Sequence, residues 1–387
     1  MTKRQSLLLG ISYAAFIVFG FSMSPLGVVW PSMRQSFGTP LDALGTLLTV
    51  LMMGYLVSSF NSGRMIAGMG AGLVLIVSSA TSGLGVLGYA LAPSWEIMLM
   101  CVFASGLGCG LLDAGVNTYV AIHHTPRVMN WLHASFGLGA TMGPLIMTAI
   151  MFSIGWPWQY GFVIVAVLWG LLALCFTLTW RDWQIQDSAS SANPGASSPH
   201  VSSRDTLALP AVWLLIALFL VTTGIETTAS QWTYSLLTEG RAVSPYVAGL
   251  SISLFWGSYT AGRLFVGFLA GRARIERLLH ACTLGLVAGS LLLWVRLSTE
   301  VSLLGLALVG FALGPFFPSL LSITPRRVGA LHAPNAIGFQ VSAASLGGAM
   351  LPALVGVLAR YMGLEVVGAC LLVAAVVMLA LYQRVGS

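Results

Sequence analysis

An acid and an amide lie four positions apart inside a long apolar stretch of this chain. Asp113 and Asn117 belong to the segment GLLDAGVNTYV (110–120). Residues i and i+4 share a face of a helix, and Gly106 and Gly110 lie on the same stripe. A carboxyl group in hydrocarbon costs on the order of 3 kcal/mol, so such a group normally faces a protein interior or a watery cavity. This face therefore predicts a polar path through a membrane protein.

Two further charged residues lie well inside apolar stretches, Glu226 and Arg263. Burial disfavours the ionised form of an isolated carboxyl group. A carboxyl that is neutral or charged according to the side it faces is what a proton-coupled carrier requires. We predict that Asp113 and Glu226 couple protons and contact the substrate. A static ion pair with Arg263 is the alternative, and Arg263 itself is predicted to have a structural or gating role.

Polar side chains on other apolar stretches are predicted to line the same cavity. Amides and hydroxyls offer both donors and acceptors, which suits a neutral, polyhydroxylated ligand, and an aromatic ring can cover an apolar sugar face. Hydrogen bonding between helices is the alternative for each of them, and His133 is either a proton relay or a packed side chain. The predicted substrate-binding set is Asp113, Asn117, Asn130, His133, Glu226, Gln231, Trp232 and Gln340.

Two prolines interrupt the stretch GFALGPFFPSLLSITP (310–325). Pro315 and Pro318 are predicted to kink a helix and to free carbonyl groups that only a cavity or neighbouring helices can satisfy. The kink is a predicted gate hinge.

The composition places these residues in a membrane. The chain of 387 residues is 57% hydrophobic and 7% charged, with a mean hydropathy of +0.90, whereas soluble domains carry about 25% charged residues. The net charge of +6 comes from arginines scattered at helix ends, so we expect no nucleic-acid partner. The five cysteines lack metal-ligand spacing. No enzyme signature is present, and we predict neither a metal nor a cofactor.

A bilayer core requires about 20 apolar residues per helix, and twelve such runs occur. They cover residues 7–30, 42–62, 69–92, 97–121, 129–153, 157–180, 209–237, 244–270, 276–297, 300–323, 333–358 and 362–383. With a cytoplasmic N-terminus, twelve Lys and Arg residues fall on the inner side and four on the outer side. This bias predicts that both termini are cytoplasmic.

A Ser-, Ala- and Pro-rich stretch divides the chain into two sets of six predicted helices. We predict an N-terminal bundle at 1–180, a flexible cytoplasmic linker at 181–207 and a C-terminal bundle at 208–387. The halves resemble each other: TMGPLI (141–146) aligns with AMLPAL (349–354), which pairs Gly139 with Gly347. Helices 2 and 8 align with Gly54 on Gly257. The predicted fold is an all-α polytopic membrane protein of twelve helices, in two six-helix bundles related by a pseudo-two-fold axis, as in major facilitator transporters.

Three segments of the chain resemble a known family, the fucose–proton symporters of the major facilitator superfamily. They are DAGVNTYV (113–120), SFGLG (135–139) with Asn130 before it, and GRLFVG (262–267). The resemblance implies that Asp113 takes part in sugar binding and proton coupling and that Asn117 lies beside it. Symporters of this family also carry an acid in helix 1, four residues before the proline that matches Pro31.

Gly27 occupies the position of that helix-1 acid, and the first predicted helix has no acid at all. Either Glu226 substitutes for it, or the coupling differs, or the substrate is not a sugar.

Together these patterns predict a monomeric secondary transporter of the inner membrane. It would move a small polar solute, most simply a sugar, with protons by alternating access within the lipid bilayer. A proton-antiport exporter of drugs or amphiphilic metabolites on the same fold is the main alternative. A non-transporting sensor or complex subunit is a third, although such proteins commonly append a soluble domain.

Overall fold

A computed structural model describes residues 3–183, 201–269 and 274–386. The helices are α1 (Lys3–Met23), α2 (Leu26–Phe37), α3 (Ala43–Met69), α4 (Ala71–Leu91), α5 (Trp95–His123), α6 (Pro126–Thr148), α7 (Trp158–Thr179), α8 (Ser203–Leu207), α9 (Pro210–Ser235), α10 (Pro245–Leu269), α11 (Ile275–Trp294), α12 (Thr299–Leu313), α13 (Phe316–Val328), α14 (Ala333–Met362) and α15 (Val366–Gly386). Turns of π-helix extend α6 through Ala149–Ile154 and α9 through Leu236–Gly240.

Within the described residues, eleven helical stretches are long and apolar enough to cross a membrane. The one predicted span not among them, 244–270, is present as α10, which has 25 residues. It carries Arg263 and several hydroxyl side chains, and it is not among the eleven. The all-helical, membrane-spanning fold class is therefore confirmed.

Two predicted spans are each built from two helices. The first span was predicted to end at residue 30, but it continues as α2 to Phe37, after a break at Ser24 and Pro25. The tenth span breaks at Gly314 and Pro315, between α12 and α13, as the proline pattern predicts. Pro318 adds no second kink, because it lies in the first turn of α13, where backbone N–H groups have no partner within the helix.

The helices pack as two sets. In the N-terminal set α5 contacts α3 and α4, α6 contacts α1, and α7 contacts α4; in the C-terminal set α14 contacts α9, α12 contacts α10 and α11, and α15 contacts α9 and α11. The two sets meet along three pairs, α6 with α10, α3 with α14, and α2 with α9. The packing repeats: a Cβ at Gly139 would overlap the carbonyl of Ile17, and one at Gly347 would overlap the carbonyl of Leu220. This matches the predicted alignment of Gly139 with Gly347.

The end of the predicted linker is helical. In α8, Ser202 caps the first turn by accepting from the backbone N–H of Arg204 at 3.0 Å. Thr206 Oγ1 lies 3.0 Å from Nδ1 of His332, which holds α8 against the start of α14. The predicted Ser- and Pro-rich centre of the linker, 184–200, and Arg272 of the inner-side charge count lie outside the described residues.

Candidate functional site

Asp113 lies partly buried on α5, with a tyrosine and an amide on its two oxygens. Tyr55 of α3 donates its hydroxyl to Oδ2 at 2.5 Å, and Asn117 donates its amide to Oδ1 at 2.8 Å. The approach of α3 to α5 depends on glycines, since a Cβ at Gly106 or Gly110 would overlap the α3 backbone. The predicted stripe is therefore real, but its glycine part packs against a helix. Only its polar part, Asp113 and Asn117, makes the hydrogen bonds described above.

Glu226 on α9 has a corresponding arrangement in the C-terminal set. Tyr259 of α10 donates its hydroxyl to Oε2 at 2.8 Å. The same hydroxyl accepts from Nη2 of Arg263 at 2.7 Å, and the guanidinium carbon lies 4.9 Å from the Tyr259 ring centroid. The carboxyl is thus connected to a cation through one shared hydroxyl. Asp113, in contrast, has two neutral partners in the structure.

Arg263 also completes the broken tenth span. Proline has no N–H, so Pro318 leaves the carbonyl of Gly314 without its usual i+4 donor, and Pro315 leaves that of Phe311. Arg263 Nε donates to the Gly314 carbonyl at 3.2 Å. A Cβ at Gly262 would overlap the Phe311 carbonyl. The Gly262–Arg263 pair therefore fits the two carbonyls that the prolines free.

The two tyrosines are equivalent in the repeat. Gly110 packs against the carbonyl of Tyr55, and Gly314 packs against the carbonyl of Tyr259. The predicted alignment of Gly54 with Gly257 pairs Tyr55 with Ser258. The contacts pair Tyr55 with Tyr259 instead, so that alignment is wrong by one residue. Each half thus presents one tyrosine that binds one carboxyl group.

Helix α6 carries two of the predicted substrate-binding residues in different surroundings. His133 lies partly buried and edge-on to Phe16, with ring centroids 5.6 Å apart, and Arg263 is within electrostatic range across the two sets. Asn130 is exposed near the start of α6. The linked side chains of Glu226, Tyr259 and Arg263 are called the Glu226 group below. The structure brings His133 toward this group and leaves Asn130 outside it.

Two other predicted residues lie in packed positions. Trp232 is fully buried and donates its indole N–H to the carbonyl of Pro352 at 2.9 Å. Gln340 is fully buried and exchanges hydrogen bonds with Thr324, the shorter at 2.9 Å. Both hydrogen bonds join helices of the C-terminal set.

Gln231 lies where the two sets meet at the break in the first span. It is 4% exposed, its Nε2 is 3.5 Å from the carbonyl of Met23, and its Oε1 has no hydrogen-bond partner in the structure. A Cβ at Gly27 would overlap the Gln231 backbone. The side chain of a helix-1 acid has no space at Gly27 while the halves are in contact.

Ion pairs between the sets close one end of the bundle, which we call the closed end. Arg34 of α2 binds Glu239 at 2.8 Å, and Arg360 of α14 binds Asp42 at 3.1 Å. Farther from this end, residues of α3 and α14 line an apolar cleft of about 340 Å³. The ion pairs thus hold the halves together at this end.

Histidines near the turn after α5 form an aromatic cluster. His123 stacks on Tyr119 with centroids 4.4 Å apart. Burial and the neighbouring His123 lower the pKa of His124 below its usual value.

Throughout residues 3–183, 201–269 and 274–386, no group of three or more His, Cys, Asp or Glu side chains has the arrangement of a metal site.

The family model described as Major Facilitator Superfamily matches residues 12–352. The chain belongs to this superfamily. The family and the relatives of this chain are transporters rather than enzymes. The resemblance predicted from the 113–120 and 262–267 segments is therefore confirmed at the level of the superfamily.

Curated relatives of this chain include proteins named as sugar transporters. The "Glucose/mannose transporter GlcP" of Bacillus subtilis is 21% identical over 350 residues, covering 89% of this chain and 86% of that protein. The human "Sodium-dependent glucose transporter 1" is 23% identical over 395 residues, covering 92% and 74%. Among solved structures, the transporter FucP in its outward conformation has a TM-score of 0.66 at 14% identity, covering 97% of this chain and 98% of that one.

Sequence reasoning did not select Tyr55, Tyr259 or Trp256, all of which lie at the carboxyl groups or between the halves. The internal repeat is the sequence signal that could have identified the two tyrosines. Tyr55 follows Gly54 directly, and Tyr259 follows Gly257 after one serine.

Proposed function

We propose that this facilitator is a secondary active transporter that moves a neutral, sugar-like solute with protons across the inner membrane by alternating access. The observation that carries the proposal is the pair of carboxyl groups, Asp113 and Glu226, one in each half. Each accepts a hydrogen bond from a tyrosine of a neighbouring helix. Ionisable groups inside membrane spans mark substrate and proton pathways.

Asp113 is the first choice for the proton site because its hydrogen-bond partners are neutral. As a carboxylate it accepts from Tyr55 and Asn117; once protonated it also has a proton to donate, and that proton needs an acceptor. Asn117 Oδ1 is buried without a partner and is available to accept. Protonation would thereby change the hydrogen bonds that Asp113 makes.

Glu226 is the second proposed site. Its link through Tyr259 to Arg263 supplies a counter-charge, so its ionised form is supported more strongly than that of Asp113. We propose that Glu226 contacts substrate and couples protons as part of this group, with Arg263 holding the break between α12 and α13.

A sugar is the substrate class that fits both the residues and the relatives. The interface offers neutral donors and acceptors, including the unpaired Oε1 of Gln231, and the two named relatives are glucose transporters. Neither relative exceeds 25% identity, so the specific sugar is a matter for experiment.

The distribution of Lys and Arg supports a cytoplasmic location for both termini. In that orientation the closed end, with Arg34, Glu239, Asp42 and Arg360, faces outward. The structure then represents a state closed to the outside.

Uptake into proteoliposomes tests the proposal. Labelled glucose, mannose and fucose would be offered under an inward proton gradient, an inward sodium gradient, or neither. We expect proton-driven accumulation, with a limit of about 100-fold for one proton across two pH units, since each pH unit is worth about 1.4 kcal/mol. Asp113→Asn should lose accumulation, whereas Glu300→Gln, at an exposed helix start, should retain it.

Each other outcome has a distinct meaning. Accumulation driven only by sodium would remove the proton from the proposal. Proton-driven uptake that survives Asp113→Asn but not Glu226→Gln would transfer the coupling role to Glu226. Absence of uptake of all three sugars by folded protein would overturn the sugar assignment, and extrusion of an amphiphilic dye under a proton gradient would then favour an exporter.

A further inference from the structure

Trp256 of α10 lies between the two halves and next to the Glu226 group. Its ring contacts Phe136 of α6 across the interface, with centroids 6.2 Å apart and planes at 78°. On its own helix it contacts Tyr259 at 5.4 Å, the residue that binds Glu226. The residue is 5% exposed.

The indole N–H of Trp256 is buried and has no hydrogen-bond partner among the residues that the structure describes. Four of the other five buried tryptophans among the described residues are satisfied; Trp30, for example, donates to the Leu41 carbonyl at 3.2 Å, and Trp183 donates to Thr179 at 2.9 Å. Buried donors without partners are uncommon and invite an explanation, such as a ligand. One turn earlier on α10, the Ser253 hydroxyl is also buried and unpaired.

Trp169 shares the chemistry of Trp256 but not its position. Its indole N–H is likewise unpaired, but it lies in α7, where its Cβ is 3.0 Å from the Cβ position of Gly83 on α4. That contact is internal to the N-terminal set. Trp169 is therefore a matched control for a role that depends on the interface between the halves.

We propose that Trp256 is a sugar-binding residue of the central site: its ring stacks on the apolar face of a pyranose and its N–H donates to a sugar oxygen. The proposal rests on the proposed function and assigns a residue to it. In the closed arrangement Phe136 is the ring that contacts Trp256 across the interface. Separation of the halves withdraws Phe136 and exposes both the ring face and the N–H to the solute.

The hydrogen bond and the stacking can be tested separately with glucose. Trp256→Phe keeps an aromatic ring and removes the N–H, so we expect KM for glucose to rise about tenfold with little change in the maximal rate, as for a binding contact that is equal in ground and transition states. Trp256→Ala also removes the ring and should raise KM further. Trp169→Phe should leave KM within a factor of two.

A series of monodeoxyglucoses identifies the sugar oxygen concerned. For the wild type, one deoxy sugar should have a KM about tenfold above that of glucose. Trp256→Phe should not raise the KM of that deoxy sugar any further. Equal KM values for wild type and Trp256→Phe, or an unchanged penalty for every deoxy sugar in the variant, would overturn the proposal. Failure of the wild type to transport any sugar would instead reject the proposed function.

Discussion

Reversing one charge at the closed end should shift the facilitator toward the state that is open there. Glu239→Arg places two arginines together where Arg34 now lies 2.8 Å from the carboxylate. The side chains of Arg34 and Glu239 are 25% and 29% exposed, so the interaction is that of a partly solvated pair. Losing about 0.5–1 kcal/mol of attraction and adding a similar repulsion gives about 1–2 kcal/mol in total.

That energy corresponds to a change of about 5- to 30-fold in the ratio of closed to open molecules. The assay is the distance distribution between spin labels at Gln35 and Met362, which lie at the closed end on opposite halves. We expect a longer-distance population to grow in Glu239→Arg and to shrink again in the swapped variant Arg34→Glu/Glu239→Arg. High salt should reduce the difference, because these charges are partly exposed.

Glu300→Arg provides the control, since it makes the same charge change at an exposed position at the start of α12. It should leave the distances unchanged. If the swapped variant were as open as the single one, the reasoning from a direct pair would be refuted. A shift of equal size in Glu300→Arg would attribute the effect to net charge instead.

Two further changes test the packing of the site. Gly27→Ala should reduce transport and increase the population with longer spin-label distances at the closed end, because a Cβ there overlaps the Gln231 backbone. Uptake and spin-label distances equal to those of the wild type would contradict this. Arg241→Ala should lower the free energy of unfolding by about 1–3 kcal/mol, because the Arg241 side chain is 8% exposed and binds Glu365 at 2.8 Å and the Leu293 carbonyl at 2.8 Å, while Glu365 is 31% exposed and keeps Arg296 at 3.2 Å. Chemical denaturation in detergent measures it, and a loss below 1 kcal/mol would show that the pair adds little.

The sequence predicted the fold class and the acid–amide pair well because both depend on local patterns. Apolar runs of bilayer length identify spans, and Asp113 and Asn117 are one helical turn apart, so their contact needs no knowledge of other helices. The breaks at Pro25 and Pro315 differ in this respect. The paired prolines of the second predict a break, whereas the long apolar run around the first predicts one continuous helix.

The partners of the two carboxyl groups could not be predicted in the same way. Tyr55 is 58 positions from Asp113 and Tyr259 is 33 from Glu226, so each contact depends on how two helices are rotated against each other. Helical stripes show which residues share a face but not what lies opposite. For that reason Trp232 and Gln340 share a predicted role with Gln231 but lie in hydrogen-bonded packing, whereas Gln231 lies between the halves.

The ion pairs at the closed end have opposite directions. The N-terminal set contributes Arg34 and Asp42, and the C-terminal set contributes Glu239 and Arg360. When the halves separate, these residues leave one cation and one anion on each rim, so the two rims carry no net charge from them and do not repel each other over long range. An opening with this balance neither attracts nor excludes a solute by its charge, and an uncharged molecule would enter it without an electrostatic barrier from these four residues.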